Sequence, residues 1–321
     1  MNILVTGSAG FIGYNFCNEL LNSNNKKIKI IGIDNLNTYY SKKIKISRLK
    51  LLKKNKKFIF YNIDLSNKKK LKKIFEKDKI DEVYNFAAQA GVRYSSVNPD
   101  AYIQSNILGF SNIIILSKDH KVKKFFYASS SSVYGDSNRF PLNENLPLEP
   151  KNLYGKTKKF NEEIAETFYN NFKFKSIGLR FFTIFGEWGR PDMFLFKLLI
   201  ANKKKARFNL NNNGNHFRDF TYIKDVIKIL FKLRNKKISK NEIYNICSNN
   251  PVSLIKIIKL IKKDIRNAKI IKCKKQPEDI FKTHGQNKKI KLKTKFKKFT
   301  KFETALNNTV KWFVENSRIY N

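Results

Sequence analysis

Cysteine is scarce and odd in number here: Cys17, Cys247 and Cys273 stand far apart, with no CxxC and no Cys/His spacing. Neither a disulfide framework nor a zinc site is expected, and the thiols read as buried or idle. Histidine is equally rare, and His120, His216 and His284 are isolated, so none is given a chemical role. No apolar run is long enough to span a bilayer, and none forms a targeting segment ahead of the first strand. Cytoplasmic location without membrane insertion is the expectation. Acidic residues are few, 25 against 66 basic ones, for a net charge of +41. Such a balance ordinarily suggests nucleic acid or an anionic membrane. What is missing is the interleaved arginine and aromatic platform that stacks bases. The excess is mostly lysine, in runs such as 42–57, 68–79, 203–205 and 288–298, alongside abundant asparagine and isoleucine. It reads as compositional bias on solvated faces, so no nucleic-acid partner is expected. The charge still favours encounter with an acidic substrate, an effect that weakens with salt.

The chain has 321 residues, 41% of them hydrophobic, enough to fill one large core or two modest ones. Apolar runs at Ile3–Thr6, Ile28–Ile33, Phe58–Ile63, Glu82–Phe86, Phe125–Ser129 and Ser176–Phe181 alternate with amphipathic stretches. That alternation predicts an α/β fold with a doubly wound parallel sheet. It breaks down after Arg180 into an irregular tract, Thr183–Arg190, then a helix from about Met193 and a hairpin around Asn211–Gly214. The segment 219–233 with strand Tyr244–Ile246 is expected to return to the sheet. The division is therefore residues 1–180, completed by about 219–246, and a smaller α/β part, 181–218 and 247–321, ending in a helix with Leu306, Val310 and Phe313.

The opening MNILVTGSAGFIG runs from a strand into Gly7, Gly10 and Gly13 and then a helix. Such a turn brings backbone N–H groups and a helix N-terminus against a pyrophosphate. Asp34 ends the next apolar run about twenty residues on, where a carboxylate accepts from an adenosine ribose and repels a 2′-phosphate. NAD is the expected cofactor. In the middle third, strand 125–129 leads into Ser130 to Gly135 (SSSVYG), and Tyr154 and Lys158 follow at i and i+4 on one helix face. An ammonium beside a phenol favours the phenolate, so Tyr154 is the candidate base, with Lys158 also holding the nicotinamide ribose and Ser130 bridging to a substrate hydroxyl.

These motifs, with FAAQAGVRYSSVNP at 86–99, LRFFTIFGEWGRPDMF at 179–194 and FRDFTYIKDV at 217–226, resemble the extended short-chain dehydrogenase/reductase family across essentially the whole chain. Within it the wording is most similar to UDP-glucuronate 4-epimerases. The resemblance implies a Rossmann-type fold, a homodimer through helices starting near Pro99 and Asn152, and a UDP-sugar substrate converted for capsule or lipopolysaccharide synthesis. For the cofactor it adds Phe11, Ile12, Asn35, Asp64, Leu65, Ala87, Ala88, Gln89 and Asn106. For the substrate it implies Arg93, Thr183, Arg190, Arg218, Gln276 and Asp279, with Thr183 and Arg190 gripping the sugar carboxylate. Ser131 and Ser132 stand where related 4,6-dehydratases carry an acid pair, which argues against elimination chemistry.

Departures from the family wording are Tyr14-Asn15, Glu187 before Trp188, Cys247-Ser248 and THGQNKK at 283–289. Glu187 is placed to compete for Arg190, and Arg190 itself has Asp192 as an alternative partner. Three classes stay open: the 4-epimerase, a decarboxylase or another nucleotide-sugar enzyme, and a non-catalytic NAD-binding or nucleic-acid-binding protein.

Overall fold

A computed structural model describes residues 1–23, 27–275 and 280–320. Seven strands form one sheet, all parallel, in the order β10-β6-β5-β4-β1-β2-β3. They are β1 Asn2–Thr6, β2 Lys29–Asp34, β3 Phe58–Asn62, β4 Ile80–Asn85, β5 Lys124–Ser130, β6 Ser176–Phe181 and β10 Glu242–Ile246. Their near-continuous apolar sequences fit a sheet covered on both faces. Ile3 and Val5 face one buried cluster and Leu4 the other. The outer helices follow the expected logic: in Lys68–Lys77 the lysines face water while Leu71, Ile74 and Phe75 are buried, and Asn67 caps the helix by accepting from the Lys70 N–H.

The remaining strands are short. β7 Thr183–Phe185, β9 Phe217–Tyr222 and β11 Pro251–Ser253 form a three-stranded sheet, and β8 Arg207–Asn211 pairs with β12 Lys269–Cys273. The turn at 211–214 is therefore not a hairpin. β8 and β9 leave it into different sheets, because Asn211 is followed by a single helical turn with Asn213 at φ 52° that redirects the chain. The tract after Arg180 also carries strand β7, which pairs in parallel with β9.

A buried polar network joins the sheet to the helix Leu153–Phe172. Arg180 on β6 donates to both oxygens of Glu162, at 2.9 and 2.7 Å, and to the Tyr134 hydroxyl at 2.8 Å. Ser129 on β5 also donates to Glu162, and Tyr134 donates to Asn245 on β10. Glu162 and Arg180 each keep 4% side-chain exposure, so neither charge has water as an alternative partner. Glu162→Ala should therefore lower unfolding free energy by about 3 to 5 kcal/mol, read from urea denaturation, because it strands the Arg180 charge. A loss below about 1 kcal/mol would show that the network holds nothing in place.

Candidate active site

Strand order reverses between β1 and β4, and the cleft opens at the carboxyl ends of the strands there. Its volume is about 540 Å³. On the β1 side, Gly7 takes φ +66°, and a Cβ there would lie 2.8 Å from the Ala87 nitrogen. A Cβ on Gly13 would meet the Gly7 carbonyl oxygen at 2.1 Å, so helix and turn pack only with glycine. The helix Phe11–Asn22 begins without a side-chain cap among the described residues, which leaves its first amides for an anion at the cleft. Asp34 accepts from the Ala9 and Leu36 N–H groups at 3.2 and 2.9 Å. Burial raises its pKa, opposed by Lys45 and those backbone donors. A tight turn, a free helix N-terminus and a buried acceptor fit a dinucleotide.

Across the cleft, Asn152 starts the helix Leu153–Phe172 by accepting from the Gly155 N–H. That helix brings Tyr154 and Lys158 to the same cleft as Ser130, Thr183, Arg190 and Arg218. The Lys158 ammonium donates to the Ala128 carbonyl at 2.8 Å, and burial lowers its pKa to about 8 against the pull of Glu162. Burial raises the Tyr154 pKa, and what pulls it down is Ser130 and the Arg190 charge. The Lys158 ammonium, expected beside the phenol, is engaged by a strand carbonyl. Arg190 pairs bidentately with Asp192, its Nε at 2.9 Å, the alternative partner the sequence offered.

Residues 3–247 match the family model for the NAD dependent epimerase/dehydratase family. The chain belongs to that family. It is 37% identical to the protein CapI of Staphylococcus aureus, over 98% of this chain and 99% of that protein. It is 36% identical to the UDP-glucuronate 4-epimerase of Thermodesulfobacterium geofontis, over 98% and 96%. The crystal structure of the UDP-glucuronic acid 4-epimerase of Bacillus cereus with UDP-glucuronic acid and NAD superposes with a TM-score of 0.91 at 30% identity, covering 98% of this chain and all of that one. An epimerase/dehydratase of this family is an enzyme whose cofactor is NAD, built on the Rossmann-type sheet described above.

Within this epimerase/dehydratase, Phe11, Ile12, Asn35, Asp64, Leu65, Ala87, Ala88, Gln89 and Arg93 all line the cleft. Asn106 does not. It is buried behind the wall, where it accepts from the Gln89 N–H at 2.8 Å and donates to the Gln89 carbonyl and to Thr157. Its amide satisfies the backbone of a cleft-lining segment instead of reaching the cleft. Gln276 and Asp279 lie outside the described residues. Glu187 is turned from Arg190: it accepts from the Tyr222 hydroxyl at 2.6 Å and pairs with Lys224 at 2.8 Å, so it does not compete for the guanidinium. The two unusual C-terminal stretches meet each other, since Asn287 donates to the carbonyls of Cys247 and Ser248.

Several cleft residues escaped the motifs, chiefly Tyr39, Lys45 and Lys197. The aromatic pair Tyr39-Tyr40 so close after Asp34 was the available signal. Among the described residues no cluster of His, Cys, Asp or Glu could hold a metal ion, and no helix is long and apolar enough to cross a membrane. Gly7→Ala should weaken NAD binding by about tenfold or more by calorimetry, because the new methyl must displace the Ala87 backbone. Unchanged affinity would take the glycine turn out of the cofactor site.

Proposed function

We propose that the protein interconverts UDP-glucuronate and UDP-galacturonate at C4 by way of a transient 4-keto sugar, with NAD as resident cofactor and Tyr154 as the base. The observation that carries this is that Ser130, Tyr154 and Lys158 share one cleft with Thr183 and Arg190, a hydroxyl and a guanidinium suited to a carboxylate. Relatives named as UDP-glucuronate 4-epimerases, which keep this length and fold, support it.

NAD, when bound, supplies the hydride acceptor and donor for C4. The chain's own residues handle the proton and the pose. Ser130 bonds the C4 hydroxyl and Tyr154 takes its proton, then returns a proton to the epimeric hydroxyl. The Lys158 and Arg190 charges favour the phenolate against the burial that opposes it. A 4-keto uronate is a β-keto acid prone to lose carbon dioxide. A two-point grip by Thr183 and Arg190 keeps the breaking bond from aligning with the ketone. Gly7 to Gly13, Asp34, Asn35, Asp64, Leu65 and Ala87 to Gln89 hold the dinucleotide, and Arg93 and Arg218 face the nucleotide-sugar phosphates. On this reading residues 1–180 and 219–246 serve the cofactor and the rest the sugar nucleotide.

The same reading includes a homodimer. Val97, Ile103, Leu108 and Phe160 are 75, 42, 42 and 38% exposed around the helices that begin at Pro99 and Leu153, an apolar face suited to a second copy.

Protein incubated with UDP-glucuronate and NAD should yield UDP-galacturonate by proton NMR without net NADH. A pentose product would instead identify a decarboxylase, and no uronate turnover would refute the substrate. Tyr154→Phe should retain NAD binding and lose about 10²-fold or more in kcat, and a variant keeping most of its rate would remove Tyr154 from the role. A lysine that must be charged fails as pH rises through its folded pKa, so kcat should fall above about pH 8. A rate level to pH 10 would show that the Lys158 charge is not needed.

A further inference from the structure

The loop after β2 runs from Asp34 and Asn35 to Tyr39, and all three line the cleft. The Tyr39 hydroxyl donates to Asp192 Oδ2 at 3.0 Å. Asp192 in turn holds Arg190 through Nε on Oδ1 at 2.9 Å and Nη2 on Oδ2. The Arg190 guanidinium also lies 5.8 Å from the Tyr39 ring centroid, close enough for a cation–π contribution. Tyr39 is itself braced. Its ring packs on Tyr94 with centroids 4.7 Å apart, and a Cβ on Gly91 would come within 2.3 Å of its hydroxyl oxygen.

A guanidinium offers two edges for bidentate binding, one through Nε and one through its two terminal nitrogens. Asp192 takes the Nε edge. Among the described residues Nη1 makes no hydrogen bond, and Arg190 lines the cleft. Burial opposes charge on both partners. The pairing outweighs it, so Arg190 keeps its proton and Asp192 remains a carboxylate.

We propose that Asp192, held by Tyr39, is a positioning residue that fixes one edge of Arg190 and so aims the other edge at the carboxylate of the substrate sugar. The inference rests on the uronate reading above. The pair is neutral, so specificity comes from the geometry of the free edge and not from a bare positive charge in the cleft.

The test compares wild type, Asp192→Asn and Tyr39→Phe, each loaded with NAD and checked for folding by melting temperature. Dissociation constants for UDP-glucuronate and UDP-glucose are measured by calorimetry, with KM and kcat for the uronate alongside. Asp192→Asn should weaken UDP-glucuronate about tenfold more than UDP-glucose, with KM carrying more of the loss than kcat. Tyr39→Phe, which removes only a hydroxyl, should shift selectivity the same way by about twofold to fivefold. Equal losses on both sugars, or tighter uronate binding on loss of Asp192, would overturn the proposal. If wild type itself binds no UDP-glucuronate, the substrate reading fails and takes this inference with it, a result separate from any variant's behaviour.

Discussion

The buried pair of Glu162 and Arg180 is the joint on which the chemistry hangs. The helix carrying Tyr154 and Lys158 could slide along the sheet on apolar contacts alone, since these are not directional. A bidentate ion pair with further bonds to Ser129 and Tyr134 fixes its register against β5, β6 and, through Asn245, β10. Ser129 immediately precedes Ser130, so the same carboxylate steadies both the helix with Tyr154 and Lys158 and the strand that ends at Ser130. The pair is costly to desolvate, and its use here lies in geometry more than in net stability.

A second constraint acts across the cleft. The glycine turn and the uncapped helix beside it leave backbone donors unsatisfied by the fold, which makes them available to an anion. Asp34 and Lys158 are buried groups whose pKa values burial shifts toward neutrality of charge. Such shifts gather where charge is to be bound or moved. The lysines on the solvated face of the helix Lys68–Lys77 take no part in this arrangement.

Much of the site was legible because its residues sit at fixed offsets within single elements. Tyr154 and Lys158 are one helical turn apart, and the glycines span one strand-to-helix turn, so local geometry alone relates them. A motif match does not say which way a side chain points, and the amide of Asn106 bonds the backbone of Gln89. The hairpin at 211–214 failed for a similar reason: turn residues announce a reversal but not whether the flanking strands pair with each other. Tyr39 and Asp192, 153 positions apart, could not be related from spacing at all.

By itself the amino-acid sequence determined the alternation of strand and helix, the dinucleotide turn and the Tyr-Ser-Lys group, because periodicity and short-range offsets encode them. Only the tertiary structure decided where the charged partners go. It turned Glu187 toward Tyr222 and Lys224, brought Tyr39 to Asp192, and seated the unusual 283–289 stretch against Cys247 and Ser248. The physical reason is that pairing of buried charges depends on distances between segments remote along the chain, which are set by packing and not by spacing.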